Sequence, residues 1–243
     1  MDIGIRYSKD DRYFYLTANS KWYNVSEDVE EIYRAYSDKA QQLTNLSFAE
    51  VMMAGHLGGA ITNGEAAIAP DNGYPTGLAH TLRNMIFGML TTDKRWDILK
   101  NKELPLPILD YGGGVGILSC FLSTKFEDQV YHYDQPGLQT EFSSSLLKQY
   151  GVKPWNGESV GTVLLYNVLE HIKEAKDLVT SLEKVSNKLY ATLDYRSGDA
   201  TDVLSENDGK ELVRQLYKKG QLLPCDGSSV LEESEAYTFL WGY

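Results

Sequence analysis

Basic residues are scarce: 23 Lys and Arg stand against 34 Asp and Glu, so the 243-residue chain carries a formal net charge of -11. A face that displaces counterions from a polyanion needs a surplus of positive charge, and nucleic acid is therefore disfavoured as a partner. The two cysteines, Cys120 and Cys225, give neither a disulfide framework nor metal-ligand spacing. No apolar run is long enough to span a bilayer. The opening Met1-Asp2-Ile3-Gly4-Ile5-Arg6 lacks the charged-then-apolar pattern of a secretory signal, which makes the cytoplasm the expected location. Repeats and low-complexity segments are absent, and four histidines keep the list of candidate bases near neutral pH short.

What is present is concentrated in Ile108-Leu109-Asp110-Tyr111-Gly112-Gly113-Gly114-Val115-Gly116, an apolar run that ends in an acid and enters alternate glycines. It reads as a buried strand, a tight turn and the start of a helix, the place where doubly wound folds bind nucleotide-like ligands. A dinucleotide turn wants G-x-G-x-x-G, but counting from Gly112 puts Ile117 at the third glycine, and counting from Gly113 fails at Val115. No Gly-Lys-Ser/Thr follows, which excludes a P-loop. The spacing that fits is D-x-G-x-G-x-G at Asp110, Gly112, Gly114 and Gly116, and this resembles the first motif of the class I S-adenosylmethionine-dependent methyltransferases.

Downstream segments extend the resemblance over residues 105 to 243. Gln129-Val130-Tyr131-His132-Tyr133-Asp134 alternates like a strand and ends in an acid 24 positions after Asp110, where a second parallel strand delivers a carboxylate to a ribose. Gly161-Thr162-Val163-Leu164-Leu165-Tyr166-Asn167 reads as a buried strand, and the Val168-Leu169-Glu170-His171-Ile172 that follows is similar to the family's fourth-strand signature. The resemblance implies an α/β fold: a doubly wound, mostly parallel seven-stranded sheet with an antiparallel last strand. It implies S-adenosylmethionine as cofactor, with Asp110, Gly112, Gly114, Gly116 and Asp134 as cofactor-binding residues and Asn167 and Leu169 near its methionine end. The implied activity is transfer of a methyl group to an oxygen or nitrogen of a small molecule, with no resident metal.

The chain departs from the family between the helix at Leu138 to Tyr150 and the strand at Thr162. Only ten residues from Gly151 to Val160 are available for the third strand, which must be short or degenerate. Trp155 could stack on adenine with Asn156 or Glu158 hydrogen-bonding, or the Trp could be structural. Tyr166-Asn167-Val168-Leu169 does not match the Asn/Asp-Pro-Pro-Tyr/Phe motif of methylases acting on base amines. Further on, Ala175, Leu178, Val179, Leu182 and Val185 form a helical stripe, Leu189 to Asp194 reads as a fifth strand and Glu206 to Lys219 as a helix. Ala236 to Tyr243 suits the last strand, and the weakly marked sixth strand is expected in Gly227 to Glu233.

Two regions are expected: an N-terminal helical cap over residues 1-100 and a cofactor domain over 101-243. Val29, Ile32, Tyr33, Tyr36, Ala40 and Leu43 share one helical face behind Ser26. Ser47-Phe48-Ala49-Glu50 is a capping-box pattern, and Leu78, Leu82, Met85, Ile86, Met89 and Leu90 make another stripe. The glycine-punctuated connection between these helices runs from Gly55 to Gly77, a length usual for functional loops. In small-molecule members of the family such a region covers the substrate; the alternative is a layer that extends the core or makes a homodimer. The candidate catalytic bases are His171, His56 and His80, while His132, inside the second strand, reads as structural. Three further readings stay open: action on a macromolecule, a module that has lost turnover, and use of the cofactor for other chemistry.

Overall fold

The computed structural model describes residues 5–8, 13–16, 21–24, 31–32, 34–36, 38–39, 42, 104–136, 138–194, 205–224 and 236–242. The chain divides into two compact units. In the first, β1 (Ile5–Ser8), β2 (Tyr13–Leu16) and β3 (Lys21–Asn24) form an antiparallel sheet with Ile5 opposite Leu16 and Tyr13 opposite Asn24. A mainly helical reading of residues 1 to 100 does not contain these strands. Tyr13-Phe14-Tyr15 and Trp22-Tyr23 explain them, since aromatic residues favour the pleated surface.

The described positions between 31 and 42 are helical, as the stripe there predicts, and they belong to the same unit as α1 (Ile117–Phe126) and α2 (Leu138–Gln149). Ile32 and Tyr36, one turn apart, are completely buried. The Tyr36 hydroxyl donates to the Val115 carbonyl at 2.6 Å, and its ring lies 6.0 Å from that of Phe142. Lys39 donates to Ser145 Oγ and places its Nζ 5.3 Å from the centre of the Phe142 ring. The remaining stripe residues Val29, Tyr33, Ala40 and Leu43, the capping box, the Gly55 to Gly77 connection and the Leu78 to Leu90 stripe lie outside the described residues.

The second unit is built on a seven-stranded sheet: β4 (Ile108–Tyr111), β5 (Val130–Tyr133), β6 (Lys153–Pro154), β7 (Val160–Tyr166), β8 (Ser186–Asp194), β9 (Gln221–Pro224) and β10 (Ala236–Trp241). Its spatial order is β6-β5-β4-β7-β8-β10-β9. Pairings from β6 through to β8 are parallel, and β10 runs antiparallel to both β8 and β9. The six other strands therefore share one direction. β7 is buried at every residue from Val160 to Leu165, which is why its sequence is dominated by apolar residues rather than alternating with exposed polar ones.

Two helices cover one face of this sheet. α3 (Ala175–Leu182) buries Ala175, Val179 and Leu182, and α4 (Glu206–Lys219) buries Leu212, Val213 and Leu216, both in one cluster with Leu109, Val163, Leu165, Leu189, Leu193 and Phe239. Each fully buried aliphatic side chain contributes about 1.5–3 kcal/mol. α4 starts where its cap dictates: Ser205 Oγ accepts from the Asp208 amide at 3.2 Å and donates to the Asp208 carboxylate at 2.7 Å. Lys219 closes its last turn by donating to Glu183 and to Thr180 of α3, each at 2.8 Å.

The third strand, β6, has two residues, as the shortage of chain predicts. The sixth strand of the sheet stands at Gln221–Pro224, ahead of the expected Gly227 to Glu233, which lies outside the described residues. Gly220 ends α4 and the chain enters β9 at once, because β10 offers its free edge there, with Leu222 opposite Phe239. β8 starts at Ser186, three residues before its apolar run, since pairing with β7 from Val160 onward draws in Ser186 and Lys188. Among the described residues no helix is long and apolar enough to cross a membrane.

Candidate functional site

The strand order reverses at β4, with β5 on one side and β7 on the other, and open α/β sheets place ligands beyond the carboxyl ends of strands at such a point. Three chain segments leave the sheet there: Gly112 after β4, Asp134 after β5 and Asn167 after β7. The Tyr133 carbonyl accepts from the Gly112 amide at 2.7 Å and from the Gly113 amide at 3.2 Å, which ties the glycine turn to the residue before Asp134. Gly112, Gly114 and Gly116 have φ of +70°, +56° and +77°, a left-handed backbone that side chains disfavour. A Cβ on Gly112 would come within 2.8 Å of Val168 Cγ2, so the turn and the segment after β7 are in direct contact.

Beneath the turn lie two polar side chains. Asp110 is 1% exposed and His132 6% exposed, with Asp110 Oδ2 4.0 Å from His132 Nδ1. Burial pushes the imidazole down to about 4, so His132 is neutral at pH 7. A Cβ on Gly113 would stand 2.5 Å from Asp110 Oδ2 and 2.7 Å from the His132 ring. Gly113, which the alternate-glycine motif skips, is thus required by close approach; the signal was in the sequence as the unbroken Gly112-Gly113-Gly114 run.

Asp134 is half-buried and its Oδ1 accepts the Gln135 amide at 2.7 Å. Beside it the Tyr111 and Tyr133 rings stack at 4.7 Å, and Trp155 meets both edge-on at 6.0 and 5.7 Å. Burial, reinforced by Tyr133, holds the Tyr111 phenol above its usual range. The Trp155 indole N–H donates to the Glu158 carbonyl at 2.8 Å, and the Glu158 carboxylate accepts the Asn156 amide at 2.8 Å. That bond holds the Glu158 carboxyl below its usual range. Glu158 is therefore a partner of both Trp155 and Asn156, and Trp155 packs on the tyrosine pair.

At the third exit Asn167 has φ +50° and is bonded to Thr192 of β8, a residue that sequence reading did not single out and that no local pattern marks. Leu169 is fully buried at the start of a 3-10 turn over Leu169–His171, with Glu170 buried and His171 exposed. Of the other candidate bases, His56 and His80 lie outside the described residues. Among the described residues no cluster of His, Cys, Asp or Glu could hold a metal ion.

Six strands in one direction, β10 in the other, and the order β6-β5-β4-β7-β8-β10-β9 make the α/β fold of class I methyltransferases. No protein-family model and no curated protein matches the chain. Among solved structures, magnesium protoporphyrin IX methyltransferase (ChlM) from Synechocystis PCC 6803 with bound S-adenosylmethionine is 16% identical, with a TM-score of 0.46 over 69% of this chain and 83% of that one. The pyocyanin biosynthetic protein PhzM is 16% identical, with a TM-score of 0.43 over 71% of this chain and 58% of its own. The Pnkp1/Rnl/Hen1 RNA repair complex gives 15% identity and a TM-score of 0.45 over 61% of this chain and 40% of that one. The fold assignment rests on the strand order and direction, not on these likenesses.

Proposed function

We propose that this protein is an S-adenosylmethionine-dependent methyltransferase that transfers a methyl group to an oxygen or nitrogen of a small molecule. The observation that carries the reading is the glycine turn at the switch point, where the left-handed backbone of Gly112, Gly114 and Gly116 turns the chain sharply and Asp134 stands just past the end of the neighbouring strand. A ligand that touches main chain on one strand and a carboxylate on the next fits an adenosyl group: the turn of Gly112, Gly114 and Gly116 holds it, with Asp110 fixing the turn from below. Asp134 accepts from the ribose hydroxyls. Asn167 and Leu169 stand near the amino-acid end.

The cofactor supplies a methyl group already activated on a sulfonium. What remains for the protein is to align an acceptor atom with it and to exclude water. Residues 1-100 form the region that covers the substrate, and 101-243 the cofactor domain. A base takes the proton of an acceptor that starts protonated; His171 is the candidate at the exit of β7, with His56 and His80 the candidates in the covering region. The net charge of -11 supports a small-molecule substrate over a nucleic acid, in a cytoplasmic setting.

Calorimetric titration with S-adenosylmethionine, S-adenosylhomocysteine and NAD tests the reading. Saturable binding of both adenosyl ligands and none of NAD is expected, and Asp134→Ala should weaken that binding about tenfold or more through lost ribose hydrogen bonds while the protein stays folded. Absence of adenosyl binding in the wild type would favour a module without turnover.

A further inference from the structure

β7 releases the chain through Asn167, a residue with φ +50°. Left-handed backbone is uncommon outside glycine, and Asn is among the few side chains that tolerate it. One neighbour holds it there. The Thr192 hydroxyl accepts the Asn167 backbone N–H at 2.9 Å and donates its single proton to Asn167 Oδ1 at 2.8 Å. Thr192 is fully buried, and its own backbone is fixed between Tyr166 of β7 and Thr238 of β10. One hydroxyl thus clasps one residue at two points.

The clasp sets a polarity. With Oδ1 drawn onto the Thr192 hydroxyl, the other arm of the Asn167 carboxamide is Nδ2, a donor group. The amino-acid end of the proposed cofactor carries an ammonium, which only donates, and a carboxylate, which only accepts. We infer that Thr192 is a positioning residue that sets Asn167 as a hydrogen-bond donor for the carboxylate at the amino-acid end of the cofactor. This inference rests on the function proposed above. A carboxamide turned the other way would present Oδ1 to the ammonium and leave the Thr192 proton without that acceptor, so the Thr192 hydroxyl biases Asn167 toward the carboxylate.

The test is titration of wild type, Asn167→Asp, Thr192→Val and Thr192→Ser with S-adenosylhomocysteine and with 5′-methylthioadenosine, which lacks the amino-acid end. Asn167→Asp keeps a side chain that tolerates the left-handed backbone and an oxygen for Thr192, but replaces the donor by an acceptor. It should lose about tenfold or more in affinity for S-adenosylhomocysteine and nothing for 5′-methylthioadenosine. Thr192→Val should show the same split, and Thr192→Ser, which restores the hydroxyl, should bind as wild type does. Thermal unfolding checks each variant; should Thr192→Val fail to fold, Asn167→Asp alone decides. Equal losses for both ligands, or no loss in Asn167→Asp, would overturn the inference while the cofactor assignment stood. Failure of the wild type to bind either ligand would overturn both.

Discussion

Gly113 has an ordinary backbone, yet it is the glycine of the turn with the least room, because Asp110 and His132 press against it from within the sheet. Gly113→Ala should cost about 1–3 kcal/mol, the range for inserting a methyl into packed surroundings, and differential scanning calorimetry would read it as a lower unfolding temperature. An unchanged melting temperature would mean that the Asp110 and His132 side chains yield without cost. At this scale the motif acids and glycines are legible in sequence, since backbone geometry and strand ends restrict residue type locally. Thr192 is not, because its importance comes from register with Tyr166 across two strands, and nothing in Leu189 to Asp194 distinguishes it from any strand threonine.

Elements were readable where their own sequence pattern marks them. β7 follows from its apolar Val163-Leu164-Leu165 core and α4 from the periodicity of Glu206 to Lys219, whereas β9 has four residues and a proline and takes its conformation from β10. The helical segment around Tyr36 was readable from its stripe, but its bond to the Val115 carbonyl, inside the turn, was not. Tyr36→Phe keeps the ring against Phe142 and removes only the hydroxyl. We expect a loss of about 0.5–1.5 kcal/mol in stability, and a several-fold weaker S-adenosylhomocysteine affinity as the loop between Gly114 and Gly116 loses its tether. Calorimetric titration beside a denaturation curve separates the two effects; an unchanged affinity would make the bond purely structural.

For the whole molecule, His132 links stability to pH. Its imidazole sits near 6.5 when unfolded and about 4 when folded, so below pH 6.5 the unfolded chain takes up a proton that the folded protein refuses. The stability present above pH 6.5 is therefore lost as the pH falls toward 4, by a total of about 3 kcal/mol. Denaturation midpoints followed from pH 7 to pH 4 should fall less steeply in His132→Gln than in the wild type; parallel curves would show that other groups carry the acid sensitivity.

Both outer strands of the seven-stranded sheet finish on proline: β6 is Lys153–Pro154 and β9 ends at Pro224. A sheet exposes unpaired amides and carbonyls along its two borders, and these are the places where a second chain can continue the ladder. Proline has no amide proton to lend, and strands of two and four residues give an incoming strand little length to grip. The shortage of chain that leaves β6 with two residues thus also gives that border little to offer a further strand, an economy that works against polymerisation through the backbone.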